Sequence, residues 1–251
     1  MHSELSKKKG MPSKKPKAAN TYDAHRERQR RRILDAARGL FDKNGIDRVT
    51  MAEITSASGV RASTMYQYFS NKDDVVWSIA SEVMGGDMER VKKSVEEAPN
   101  ALARITCLLE FMADQLSTRQ SDVRFMAQFD AMYAQDWPAE RLLALESQIN
   151  PEGFEVFSEL IREGIDDGSL RADLNPELTM HAVINSVIGA QRRLASLGSK
   201  VEVEYGQPVD ALFCETIRVI LMGLRAPEAS ASGKPAKAAK SRQRTAKRRT
   251  L

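Results

Sequence analysis

A chain of 251 residues, 42% hydrophobic and 29% charged, has room for one or two globular domains around a sizeable core. It shows no run near the ~18 apolar residues of a membrane span and no apolar stretch behind its charged N-terminus, which argues against a membrane helix or a secretory signal. The net charge of +4 is segregated: residues 1–32 carry eleven Lys/Arg against three acids (+8), residues 226–251 eight against one (+7), and residues 33–225 nineteen against thirty (−11).

Residues 1–24 form a basic segment without apolar periodicity, expected to be disordered. A helix is predicted from near His25, with Ile33, Leu34, Ala37, Leu40 and Phe41 on one apolar face and Asn44-Gly45 at its end. Thr50 then precedes Met51 and Ile54 with Glu53 three residues on, a capping box that opens a second helix. Gly59 suits a tight turn, and a short third helix follows from about Arg61 to Phe69. Asn71 and Asp74 repeat the capping pattern before a fourth helix that runs through Val75, Ile79, Val83, Met88, Val91 and Val95, weakened at Gly85-Gly86.

Further helices are predicted over 101–117, 121–135, 139–149, 151–167, 176–197 and 208–224, with Pro151, Pro176 and Pro208 at first turns. Val201–Tyr205 reads as loop. Residues 226–251, with Lys234, Lys237, Lys240, Arg242, Arg244, Lys247, Arg248 and Arg249, form a second basic tail. The expected fold is all-α: a three-helix helix-turn-helix unit over 25–72, and a larger helical body over 73–225, to which the family resemblance given below assigns effector binding and dimerisation.

The third helix carries the chemistry. Met65 and Phe69 fall on its inner side, while Arg61, Ala62, Ser63, Thr64, Tyr66, Gln67 and Tyr68 fall on the other. Small side chains in its first turn let the backbone approach a duplex, and its amide end favours phosphate. Arg61 suits guanine O6/N7 or a phosphate, Gln67 suits adenine N6/N7, and Thr64 and Tyr66 offer hydroxyls to phosphates. Lys72 adds a point charge beside them. The competing reading is a plain surface helix with half-buried tyrosines.

The run from Ile33-Leu34-Asp35-Ala36-Ala37 through Phe41, Gly45, Thr50, Ile54, Ala57, Gly59-Val60, Thr64, Tyr66, Tyr68-Phe69 and Lys72 resembles the tetracycline-repressor (TetR) family over about 45 residues. That resemblance implies a DNA-binding helix-turn-helix, a ligand-binding body and a homodimer joined through its last two helices. It implies phosphate contacts at Thr50, Thr64, Tyr66 and Lys72, and operator-dependent contacts at Arg61, Ala62, Ser63 and Gln67. The basic tails depart from the family pattern. With Arg26, Arg28, Arg30, Arg31 and Arg32, they are candidates for following the DNA backbone.

In the body, Phe111, Phe125, Met126, Phe129, Met132, Tyr133 and Trp137 are candidates for an adaptable effector pocket, or else plain core. Small residues Ala182, Ser186, Gly189 and Ala190, with Leu212, Phe213, Ile217, Ile220, Leu221 and Leu224, suggest a two-fold four-helix interface. Cys107 and Cys214 read as reduced core residues.

No catalytic motif is present, no cofactor is implied, and Glu177 with His181 lacks the further ligands a metal site needs. The expectation is a cytoplasmic, nucleoid-associated, ligand-released homodimeric repressor on a near-palindromic operator. The alternatives are a tail-dominated architectural DNA-binding protein, or a helical small-molecule binding module or enzyme with incidental DNA binding. The partners expected are double-stranded DNA and a small-molecule effector, with no membrane.

Overall fold

The computed structural model describes residues 19–86, 88–134, 139–149 and 155–227; the remaining tail residues, Trp137 and Pro151 lie outside them. Among the described residues the chain folds as α1 (Ala19–Asn44), α2 (Met51–Ser58), α3 (Ala62–Tyr68), α4 (Lys72–Gly85), α5 (Met88–Glu96), α6 (Ala101–Thr118), α7 (Gln120–Tyr133), α8 (Ala139–Ile149), α9 (Glu155–Asp166), α10 (Pro176–Leu197), α11 (Lys200–Tyr205) and α12 (Val209–Leu224). None of these helices is long and apolar enough to cross a membrane.

Side-chain caps set most of the boundaries. The Thr50 hydroxyl accepts from the Glu53 N–H at 3.3 Å while the Glu53 carboxylate accepts from the Thr50 N–H at 2.8 Å. Asn71 accepts from the Asp74 N–H at 2.9 Å, but the Asp74 carboxylate reaches one residue further back, to the Ser70 N–H at 3.1 Å. Asn100 and Asn175 cap α6 and α10 in the same way, by accepting from the Ala103 and Leu178 amides. Each cap satisfies an amide that the helix itself leaves open, for about 1 kcal/mol.

Three expectations about elements are corrected. α1 starts at Ala19, so residues 19–24 belong to the helix rather than to the basic tail. The helix after Asn71 stops at Gly85, and α5 is separate from it. Lys200–Tyr205 is a short helix closed by Gly206 at φ 66°, because Val201 is fully buried while its neighbours face water, a pattern that a short alternating run does not distinguish from an extended segment.

Two cores form. In the first, Ile33, Leu34, Ala37 and Phe41 of α1 pack with Ile54, Met65, Phe69 and with Val75, Val76 and Ile79 of α4; Phe125, Met126, Phe129 and Tyr133 of α7 complete the same cluster. A boundary at residue 72 therefore runs through a shared core. The second joins Ile105 and Leu109 of α6, Ile161 of α9, Met180 and Val187 of α10, Val201 of α11 and Phe213 and Ile217 of α12. Phe213, Ile217 and Leu224 thus lie inside the subunit, with Leu212, Ile220 and Leu221 partly buried against them, and do not form an intersubunit face. Cys214 is exposed and Cys107 half-buried, so neither is a core thiol.

The second core is tight at Gly164. A Cβ built there would meet the Leu170 side chain and lie 3.0 Å from the Ala101 Cβ. Leu170 is held in place by a bridge to Arg225 and by its N–H donating to the Gly164 carbonyl at 2.8 Å. Gly164→Ala is therefore expected to lower the unfolding free energy by about 1–3 kcal/mol, read as a lower denaturant midpoint, despite alanine's better helix propensity.

Candidate DNA interface

The turn before α3 is made by Gly59, at φ 65° in the left-handed region, whose N–H donates to the Ser56 carbonyl at 3.3 Å. The Arg32 guanidinium donates to the Ser58 carbonyl at 2.8 Å and covers this turn from α1. Beyond it, Met65 and Phe69 are buried, at 0% and 4% exposure, and anchor α3 to the first core. The opposite face carries Arg61, Ala62, Ser63, Tyr66 and Gln67, all exposed, with Tyr66 at 59%. Thr64 is half-buried at the edge.

The other candidates also make contacts within the protein. The Tyr68 hydroxyl donates to Gln29 Oε1 at 3.1 Å, and the Arg26 guanidinium lies 5.9 Å from its ring centroid, so Tyr68 ties α3 to α1. The Thr50 hydroxyl donates to the Glu53 carboxylate at 2.8 Å. Glu53 is held below the usual carboxylate range by the Thr50 backbone N–H first and the Thr50 hydroxyl second.

Lys72 Nζ donates to the Ile46 and Asp47 carbonyls at 3.0 and 3.2 Å, beside the C-terminal end of α1, where a cation is favoured. Two of its three donors are used there. Among the expected backbone-following arginines, Arg30 turns to Glu82 at 3.1 Å and Arg31 to Asp35 at 3.3 Å. Residues 33–80 carry five basic and six acidic side chains, so this unit offers shape with little net charge.

The described chain presents one short, polar, outward helix on a second helix capped at both ends, the arrangement of a helix-turn-helix reader. Residues 33–79 match the family of bacterial regulatory proteins, tetR family. Over these 47 residues the chain is similar to the TetR family. It is 24% identical over 204 residues to the HTH-type transcriptional repressor KstR2 of Rhodococcus jostii, covering 79% of this chain and 92% of that one. It is 22% identical over 167 residues to the fatty acid metabolism regulator protein of Bacillus subtilis, covering 62% and 77%. Its fold superposes with a TM-score of 0.55 on the crystal structure of the transcriptional regulator FadR from Bacillus subtilis in complex with stearoyl-CoA, at 22% identity over 76% of this chain and 97% of that one.

Among the described residues, most of the side chains expected to line an effector pocket are packed into the core. Phe125, Met126, Phe129 and Tyr133 are buried in the core shared with α1 and α4, with Met132 packed on its edge, and Phe111 is half-buried on α6. Trp77 completes an aromatic cluster with Phe129 and Tyr133, with ring centroids at 5.0 and 5.2 Å. The reason is positional: α7 is the helix on which the DNA-binding unit sits, so its apolar face is consumed. The Ile46 N–H donates to Gln128 at 2.8 Å, and Arg124 pairs with Asp42 at 2.7 Å, across the same seam.

A cleft of about 1230 Å³ opens between α1, the end of α3, α4, the α6–α7 junction and α8. Sequence reasoning missed it, because its arginines lie on α1, at the α6–α7 junction and on α8, far apart in the chain. Glu177, weighed with His181 as a metal pair, accepts instead from Arg162 at 3.2 Å.

Gly59 tests how the turn supports the reader. A Cβ there would lie 3.0 Å from the Arg32 guanidinium and would hold a β-carbon at positive φ. Gly59→Ala is expected to lower stability by about 1–2 kcal/mol and to weaken DNA binding more than that loss alone explains, since α3 tilts with its turn. Denaturant titration beside a mobility-shift titration measures both.

Proposed function

We propose that this protein is a homodimeric TetR-family repressor that binds a near-palindromic operator in the cytoplasm and leaves it when a fatty-acyl or related coenzyme A thioester binds. The observation that carries this reading is the coupling of the exposed polar face of α3 to the effector-binding body through one continuous core. A change in the position of α4 or α7 moves the reader as a rigid piece, because Met65, Phe69, Val75, Ile79 and Phe129 are packed together. The stearoyl-CoA bound to the Bacillus subtilis FadR, and the fatty acid regulator among the relatives, support the effector class.

Arg61, Ala62, Ser63 and Gln67 are assigned to base edges and the adjoining backbone, and Thr64 and Tyr66 to phosphates. Thr50, Tyr68 and Lys72 hold the reader in shape, and Lys72 retains one donor for a phosphate. Dimerisation is assigned to the outer faces of α10 and α12. Leu178, Val219 and Met222 are 70%, 56% and 63% exposed there, beside the small residues Ala182, Ser186, Gly189 and Ala211. Arg192 of α10 pairs with Asp130 of α7, and burial pushes its guanidinium down to about 10, still protonated at neutral pH. That pair links the dimer helix to the helix under the reader. The basic tails supply sequence-independent attraction to DNA.

Selection of bound duplexes from random-sequence DNA tests the reading. A near-palindrome with half-sites about one helical turn apart is expected. Tyr66→Phe with Gln67→Ala is expected to reduce operator affinity by about tenfold or more at unchanged fold. A chain trimmed to residues 19–227 keeps the sequence preference and loses chiefly salt-dependent affinity; loss of the preference itself favours a tail-dominated architectural protein.

A further inference from the structure

The cleft between the reader and the body gathers arginines from α1, the α6–α7 junction and α8. Arg30, Arg31, Arg38, Arg119 and Arg141 line it against three carboxylates, Asp74, Glu82 and Asp122, a net of +2. Arg30 and Arg31 come from the basic segment 1–32, and the other three arginines offset the three carboxylates within residues 33–225, which carry −11 as a whole. A concave positive site in an acidic body concentrates anions. Guanidinium forks match phosphate oxygens, and several together match a group bearing more than one phosphate. At about 1230 Å³ the space exceeds what a fatty acid head needs and suits a nucleotide-sized one. The Trp77 indole N–H, buried at the wall of the cleft, has no hydrogen-bond partner among the described residues.

One carboxylate holds the site in its present form. Glu82 of α4 accepts from Arg30 and from Arg38, both of α1, at 3.1 Å each, and Arg38 also donates to Asp122 of α7 at 2.7 Å. Arg30 in turn lies 6.0 Å over the ring of Phe69, the residue that ends α3. A ligand phosphate placed against Arg30 and Arg38 competes with Glu82 directly, and the two pairs it breaks join α4 to α1 beneath the recognition helix, at the rim of the apolar contact between them.

We propose that this cleft binds the polyphosphate head of a coenzyme A-type effector, and that the head displaces Glu82 from Arg30 and Arg38 and so detaches the reader from its DNA-competent position. The site rests on the reading of the protein as a thioester-released repressor, and adds to it a place and a switch. Arg119, whose guanidinium lies close to Gly86 at the α4–α5 break, and Arg141, stacked 5.8 Å from the Trp77 ring and paired with Asp74 at 2.9 Å, provide the outer contacts.

The test uses the full chain, a duplex from the random-sequence selection, and three probes: coenzyme A, palmitoyl-CoA and palmitate. Calorimetry is expected to show coenzyme A binding to the wild type, weakened about tenfold or more in Arg119→Glu, since a charge-assisted contact is replaced by a repulsion. Glu82→Gln is expected to act in the opposite direction, binding coenzyme A more tightly and operator more weakly, which a misfolded variant does not do. Release of the duplex by palmitoyl-CoA shifts in parallel with head-group affinity, and palmitate alone releases nothing.

If palmitoyl-CoA releases the wild type but both substitutions leave its potency unchanged, the cleft assignment is overturned and the repressor reading survives. Equal potency of palmitate and palmitoyl-CoA overturns the head-group site as well. Coenzyme A binding that responds to both substitutions, with no release by palmitoyl-CoA, supports the site and overturns the effector reading. Absence of binding by any of the three overturns both.

Discussion

The position of the recognition helix depends on the aromatic and aliphatic packing of α7 beneath the reader. A recognition helix of seven residues is too short to hold itself, and the two helices before it leave their inner faces open. Phe41 stacks on Phe125 at 6.1 Å, Phe129 meets Trp77 edge-on at 5.0 Å, and the burial of each such ring contributes about 1.5–3 kcal/mol. The helix-turn-helix is therefore stabilised by a helix of the body, and its position is a property of that body. Regulation follows from the same fact, because close-packed cores shift as pieces rather than deform continuously.

Polar contacts refine what the core imposes. The seam from α1 to α4 and α7 is crossed by Arg30–Glu82, Arg38–Glu82, Arg38–Asp122 and Arg124–Asp42. Half-exposed pairs of this kind add little net stability, since solvent screens them and ordering the side chains costs entropy. Their value lies in being exchangeable. A core contact has no alternative partner in solution, whereas a guanidinium gives up a carboxylate for a phosphate at small net cost. An interface with an apolar base and an ionic rim of this composition can be redirected by a charged ligand without unfolding either side.

Local signals were legible in the chain and tertiary ones were not, for physical reasons visible at single residues. Thr50 with Glu53, Asn71 with Asp74, Gly59 and the Met65/Phe69 pair all act within four residues of themselves, so spacing alone disclosed the helices, the turn and the exposed face of α3. Lys72 bonds carbonyls 25 and 26 residues back, and Tyr68 a side chain 39 back, so their structural engagement had no sequence trace. The aromatic run of α7 was correctly seen as apolar, but periodicity does not say whether an apolar face meets a ligand, a partner or its own domain. The same ambiguity misassigned Phe213, Ile217 and Leu224: the buried stripe of α12 is its intramolecular one, while the less hydrophobic stripe with Ala211, Val219 and Met222 is left outside.

Charge segregation then takes on a specific role. The reader's own 33–80 segment has a net of −1, so its own charge does not draw it to a duplex, and the proposed reading gives that attraction to the positive ends of the chain. Attraction by tails is insensitive to sequence and falls steeply with salt, while the fit of α3 is sensitive to sequence and short in range. With the two terms carried by separate parts of the chain, a ligand that displaces α3 removes the address but leaves the attraction. On the proposed reading, a released protein would stay near DNA without occupying its operator and would return by local search once the ligand departs.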